Sequence, residues 1–178
     1  MFDINQIYKL DNVLTPVEYE GLLHYDSHYV WEFGAHSKED TERKFWIKDM
    51  WEGQWGQCEP MELTFRTIAE NALGIKLETQ RLYFNGQSHG QCGNMHQDTW
   101  GDDDNEYITM VYYVNETWKP EWGGFTLIMQ DSNVHVVYPK PNSAVIFNSR
   151  LYHVGLEPTI HCTGMRITLA QKFKIVRD

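Results

Sequence analysis

The feature that most constrains this chain is a change of period near residue 79. Before it, apolar residues recur at helical spacing. After it, short alternating runs are separated by Gly, Asn, Asp and Pro. Thr15-Pro16-Val17-Glu18 supplies an N-cap threonine, a first-turn proline and a capping-box glutamate ahead of Tyr19, Leu22 and Leu23. Glu59-Pro60 predicts the start of a second helix with Met61, Phe65, Ile68 and Leu73 inward, stopped at Gly74. Strands are expected at 79–85, 106–114, 124–130, 133–138, 143–148 and 165–174, with another at 43–49. Two leading helices followed by many short strands predict a mainly β (α+β) fold. The form expected is a double-stranded β-helix, or jelly roll, with the N-terminal helices packed on one sheet.

Neither a repeat nor a linker-like tract interrupts the 178 residues, so 1–178 is read as a single domain. The formal net charge of −10 repels phosphate backbones and anionic lipid, and neither nucleic acid nor a membrane is expected as a partner. Three cysteines, Cys58, Cys92 and Cys162, include no C-x-x-C pair. That pattern argues against a disulfide framework or a thiolate zinc site, and a cytoplasmic location is expected. The oligomeric expectation is a monomer or weak dimer.

The chemistry concentrates in Gly93-Asn94-Met95-His96-Gln97-Asp98. In an extended segment, residues two apart point the same way, so His96 and Asp98 can reach one metal ion. His153, in Leu151-Tyr152-His153-Val154, is the leading third ligand. Two imidazoles and a carboxylate on one octahedral face leave three positions open, as in non-haem iron(II) oxygenases. A tetrahedral zinc site uses similar donors, so both metals stay open at this point. An H-x-D tripeptide alone is weak, and His24, His28, His36, His89, His135 and His161 are further histidines without evident purpose.

Arg166 narrows the choice. It lies in Gly164-Met165-Arg166-Ile167-Thr168-Leu169-Ala170, an alternating strand pattern that puts Arg166, Thr168 and Ala170 on one face. A guanidinium aimed into a sheet interior is costly unless it meets an anion, and its fork matches a carboxylate. The plainer reading is an exposed arginine on an edge strand.

With these residues together, the chain resembles the prolyl-hydroxylase-like branch of the 2-oxoglutarate/iron(II) dioxygenases. The resemblance runs from about residue 79 to 174 and joins its motifs in order. Arg81-Leu82-Tyr83 precedes the glycine-rich loop Gly86 to Gly93, and His96-x-Asp98 follows. Tyr112-Tyr113-Val114-Asn115 is similar to the family's YYLN strand, and Trp122-Gly123-Gly124 to its Trp-Gly-Gly turn. His153 and Arg166-x-Thr168 complete the set. The chain departs from the pattern at Gly93, where many relatives have an aromatic residue. It also departs in the longer spacing from His153 to Arg166, and at Asn142-Ser143 in place of a turn glycine.

The resemblance implies an enzyme, a 2-oxoglutarate-dependent dioxygenase that hydroxylates a C–H bond. Iron(II) would be held by His96, Asp98 and His153. The C5 carboxylate of the co-substrate 2-oxoglutarate would be anchored by Arg166, with Thr168 and the Tyr113 hydroxyl assisting and Tyr83 nearby. Dioxygen is the second co-substrate, and ascorbate is a candidate reductant. A prolyl residue of a peptide or protein is the leading substrate, with a free amino acid or other small molecule as the alternative. The acidic run Asp102-Asp103-Asp104-Asn105-Glu106 falls where such enzymes flank the substrate entrance, and Trp100, Trp118 and Trp122 are candidate wall or lid residues. A carbohydrate-binding jelly roll would explain the strands and aromatics without needing Arg166 or the triad, and a zinc enzyme the triad without Arg166 and Thr168.

Overall fold

The computed structural model describes residues 2–28, 30–37, 43–50, 55–98 and 107–176. Among the described residues ten strands form two antiparallel sheets, and two helices cover the outer face of the larger one. In chain order the elements are β1 (Tyr8–Asp11), α1 (Pro16–His28), β2 (Glu32–Ala35), β3 (Phe45–Asp49), α2 (Trp55–Leu73), β4 (Lys76–Gln87) and β5 (Tyr107–Tyr113). A short 3-10 turn at Pro120–Trp122 follows, then β6 (Thr126–Gln130), β7 (Asn133–Val137), β8 (Ser143–Asn148), β9 (Tyr152–Gly155) and β10 (Arg166–Val176). The seven-stranded sheet runs β1-β8-β5-β10-β4-β3-β2, and the three-stranded sheet β7-β6-β9. This is the expected mainly β jelly-roll architecture. No helix among the described residues is long and apolar enough to cross a membrane.

A period of two, interrupted where the β4–β10 register shifts between Lys172 and Phe173, divides the large sheet into an apolar face and a functional face. On β5, Ile108, Met110 and Tyr112 join Leu82 and Phe84 of β4 and Leu169 and Phe173 of β10 beneath the helices. The intervening residues of β4 and β10 (Arg81, Tyr83, Asn85 and Gln87; Arg166, Thr168, Ala170 and Lys172) line a cavity between the sheets. The helices contribute Leu22, Phe65, Ala69 and Leu73 to the apolar side. A smaller apolar cluster of Tyr113, Ile128, Val137, Val145 and Phe147 joins β5 and β8 of the large sheet to β6 and β7 of the small one.

The α1 start matches its sequence signature. The Glu18 carboxylate accepts from the Thr15 backbone N–H at 2.8 Å, while the Glu18 N–H reaches the Thr15 hydroxyl at 3.4 Å. The α2 start does not. It begins at Trp55, so Pro60 lies inside the helix rather than at its first turn. A proline in the interior removes one backbone donor, and packing of the following apolar face against β4 maintains the helix across it. The strands β1, β2 and β9 were not anticipated either.

Candidate active site

The cavity has a volume of about 820 Å³ and brings together residues from seven strands and the segment before residue 99. At one end stand His96, Asp98 and His153. Their potential ligand atoms all lie within 4.8 Å of one another. His96 and Asp98 come from an extended segment that continues the small sheet beyond β9. The His96 N–H donates to the His153 carbonyl at 3.1 Å, and the His153 N–H returns the bond at 2.9 Å. The Asp98 N–H donates to Ser149 O at 2.8 Å. These backbone bonds fix the register that puts both histidines and the carboxylate over one point.

Each imidazole is oriented from behind. Nδ1 of His96 is 2.8 Å from Asn94 O, and Nδ1 of His153 is 2.9 Å from Leu151 O. A carbonyl can only accept, so each Nδ1 donates its proton there and Nε2 is the nitrogen that faces the site. Those Nε2 atoms lie 3.4 Å and 3.3 Å from the two Asp98 oxygens. Asp98 Oδ2 also accepts from the Thr109 hydroxyl at 3.0 Å, and Oδ1 from the Lys172 ammonium at 2.6 Å. Burial works to raise the Asp98 carboxyl, but the adjoining His153, the bonds to both histidines and Lys172 outweigh it and hold the group well below the usual carboxylate range. For Lys172, burial opposes the charge, and Tyr83 and Asp98 more than offset it, keeping the ammonium above its ordinary value. Two nitrogen donors and one anionic oxygen, with a mouth open to the cavity, suit a divalent metal with exchangeable positions.

Arg166 occupies the other end. It is 2% exposed, and its guanidinium donates to Gly124 O at 2.6 Å, Gln87 Oε1 at 2.9 Å and Thr126 Oγ1 at 2.7 Å. All three acceptors are neutral. Among the described residues no carboxylate pairs with it, and burial pulls the guanidinium below its ordinary value, with Tyr113 the chief opposing influence. The edge-strand alternative is thereby excluded, since β10 lies between β4 and β5 in the middle of the large sheet. Glycine makes the room for this side chain. A Cβ at Gly155 would stand 3.1 Å from Arg166 Nη1, and one at Gly124, where φ is +67°, would stand 3.1 Å from Arg166 Cδ.

The other expected site residues fall around this axis. Thr168 and Tyr83 line the cavity. The Tyr113 hydroxyl donates to Thr126 Oγ1 at 2.8 Å, and its ring lies 5.6 Å from the Arg166 guanidinium carbon. Tyr113 therefore meets the cavity through Thr126. At the rim, Arg81 donates to Asp49 at 2.7 Å and stacks 4.6 Å over Tyr83. Trp118 and Trp122 are not in the wall. They meet edge to face at 5.3 Å, and the Trp118 indole N–H donates to Gly123 O at 2.9 Å, bracing the turn behind Arg166. Trp100 and the acidic run 102–106 lie outside the described residues. Cys92 and Cys162 are free thiols.

Sequence reasoning missed Gln87, Thr126, Gly155 and Lys172. The first three contact Arg166 from 79, 40 and 11 residues away, with no local pattern to mark them. Lys172 did carry a signal, because it is six residues beyond Arg166 and so shares its face.

The sequence pattern of the 2OG-Fe(II) oxygenase superfamily matches residues 81–173, more than half the chain. A search of curated proteins finds no match. Among solved structures, a Pseudomonas putida prolyl-4-hydroxylase is similar at TM-score 0.67 and 22% identity, over 98% of this chain and 94% of that one. A Trichoplax adhaerens prolyl hydroxylase, in complex with a hypoxia-inducible-factor oxygen degradation domain peptide, is similar at TM-score 0.71 and 17% identity, covering 96% and 84%. A non-haem α-ketoglutarate-dependent epimerase of nogalamycin biosynthesis is similar at TM-score 0.68 and 12% identity, covering 96% and 79%. At these identities the likeness is one of fold.

Proposed function

We infer that this chain, which belongs to the 2OG-Fe(II) oxygenase superfamily, is a hydroxylase whose metal is held by His96, Asp98 and His153 and whose co-substrate is anchored by Arg166. One observation carries the reading. A fully buried guanidinium with only neutral partners shares a cavity with a clustered His-Asp-His set. A buried cation without a counter-ion is unfavourable in the empty protein, and a carboxylate-bearing ligand relieves it. A zinc hydrolase has no need of that second feature, and a binding module has no need of either.

Iron(II), when bound, supplies the redox chemistry that couples dioxygen and 2-oxoglutarate to hydroxylation. The chain's own part is to place and shelter the reactants. Asn94 and Leu151 carbonyls fix the imidazole tautomers, while Thr109 and Lys172 hold the Asp98 carboxylate ionised. Arg166 takes the C5 carboxylate of 2-oxoglutarate through the guanidinium face turned to the cavity. Thr126 assists it. Its oxygen already accepts from Tyr113 and Arg166, so its own O–H is left to donate toward the cavity, where Thr168 supplies a second hydroxyl. Tyr83 forms the wall beside Lys172.

The substrate proposed is a prolyl residue of a peptide or protein. A free amino acid is the competing substrate, favoured by the Asp49–Arg81 pair at the rim, where an acid and a base stand side by side, each about one-third exposed. The test is succinate formation from 2-oxoglutarate, with iron(II) and ascorbate, across prolyl peptides and free amino acids, with product mass read in parallel. A gain of one oxygen on a prolyl peptide supports the first reading, and a gain on a free amino acid the second. No turnover with any substrate, together with no binding of 2-oxoglutarate, overturns both.

A further inference from the structure

Lys172, which helps to keep Asp98 ionised, is a buried cation on the metal end of the cavity whose charge also bears on what binds there. Its Nζ lies 2.6 Å from Asp98 Oδ1, and its side chain is 9% exposed. Orientation of Asp98 does not depend on it. The Asp98 N–H is tied to Ser149 O, and Oδ2 is held by Thr109, whose hydroxyl is itself 2.9 Å from Ser149 Oγ. What Lys172 alone adds is a full positive charge against the one anionic oxygen pair of the His-Asp-His set. Arg81 and Asp49, which line the same cavity, neutralise each other at 2.7 Å.

We propose that Lys172 is a positioning residue of charge, which acts through Asp98 to trade metal affinity for co-substrate affinity. The inference rests on the metal role proposed for Asp98. Two cations that share one carboxylate oppose each other, so the ammonium weakens the hold on a divalent ion. The same ammonium leaves the loaded centre one unit more positive than a His-Asp-His set alone would be. With a divalent ion and one carboxylate the formal sum is +1, and Lys172 makes it +2. 2-Oxoglutarate is a dianion, and its metal-binding end arrives where that extra charge is concentrated. On a side chain only 9% exposed such a charge acts more strongly than at a surface.

The experiment compares wild type with Lys172→Gln, which keeps a hydrogen-bond donor but removes the charge, and Lys172→Met, which keeps the aliphatic stem. Anaerobic calorimetry with Mn(II) measures the metal alone, and a second titration of 2-oxoglutarate into Mn(II)-saturated protein measures the co-substrate. Both variants are expected to bind Mn(II) more tightly and 2-oxoglutarate more weakly, each by on the order of tenfold for one partly buried unit charge. Opposite signs are the signature. A residue that only supports the structure would weaken both, and that result, or no change in either, overturns the proposal. Should Lys172→Met not fold, Lys172→Gln carries the same reading. Failure of the underlying site assignment is distinguishable, because wild-type protein would then show no Mn(II) binding dependent on His96 and His153.

Discussion

The two ends of the cavity solve opposite electrostatic problems. At the metal end a buried carboxylate accepts from Lys172 at 2.6 Å and Thr109 at 3.0 Å, with two imidazole Nε2 atoms at 3.3–3.4 Å. At the anchor end a buried guanidinium is surrounded by acceptors, and none carries a charge. The first end is charge-matched when empty and has the donor set to receive a cation. The second is hydrogen-bonded but not charge-matched, and it gains most from an anion. Both ends are built on the same strand, since Arg166 and Lys172 lie on one face of β10, separated by roughly 20 Å of backbone at the usual strand rise. A single strand thus sets the polarity of the site, and a ligand with one chelating and one plain carboxylate end can enter it in one orientation.

The largest effects are expected where a ligand atom itself is removed. His96→Ala, Asp98→Ala and His153→Ala each lose turnover by more than the roughly 10- to 100-fold that outer-shell changes cost, with metal affinity falling in parallel. Succinate release and Mn(II) titration check this, and near-normal turnover in any two of the three refutes the triad. At the other end Arg166→Ala raises the 2-oxoglutarate dissociation constant by roughly thirtyfold to several-thousandfold, the range for breaking one side of a buried charge pair. Its Mn(II) affinity stays near wild type. Arg166→Lys recovers part of the loss, since an ammonium keeps the charge without the planar fork. If Arg166→Ala instead impairs Mn(II) as strongly as 2-oxoglutarate, the two ends are not separate and the contrast fails.

How much of this was legible before any coordinates follows from which interactions are local. The start of β10 alternates because one face lies under the helices, and its pattern named that face correctly, placing Thr168 and Ala170 beside Arg166. Strand β1 did not announce itself. Its four residues form a strand because Tyr8 pairs with Ile146, and Asp11 with Ser143, far along the chain. Strand β2 likewise exists through its pairing with β3. Pro60 misled because a proline after glutamate reads as a first turn, whereas the turn before it is helical as well. In the site, residues two apart on one strand were readable, and the neutral acceptors around Arg166 were not, since they come from β4, β6 and the Gly123–Gly124 turn.

A smaller effect is expected from Thr126, which touches the anchor without carrying charge. Thr126→Val removes the acceptor of two buried donors, the Tyr113 hydroxyl and Arg166 Nη2. Leaving buried donors unpaired costs about 1–3 kcal/mol each. The melting temperature should therefore fall, and 2-oxoglutarate, which can take over one of those donors, should partly restore it. A thermal-shift series with increasing 2-oxoglutarate reads this directly. A variant with unchanged melting temperature and unchanged affinity would remove Thr126 from the anchor.

The smallest effect separates direct from relayed contact with the co-substrate. Tyr113 donates to Thr126 at 2.8 Å, and its ring lies beneath the Arg166 guanidinium. If its hydroxyl acts by setting the direction of the Thr126 proton, Tyr113→Phe leaves Thr126 in place with one acceptor site vacated. The hydroxyl then gains a second way to point, and the anchor loses pre-organisation but no charge. One neutral hydrogen bond is worth about 0.5–1.5 kcal/mol, so the 2-oxoglutarate dissociation constant should rise by roughly two- to tenfold. Combined with Thr126→Val, the phenylalanine should add almost nothing, because the group through which it acts is gone. A hydroxyl that reached the carboxylate itself would keep its full effect in the double variant. Calorimetry on the four proteins of that cycle decides between them, and full additivity would assign Tyr113 to the ligand rather than to Thr126.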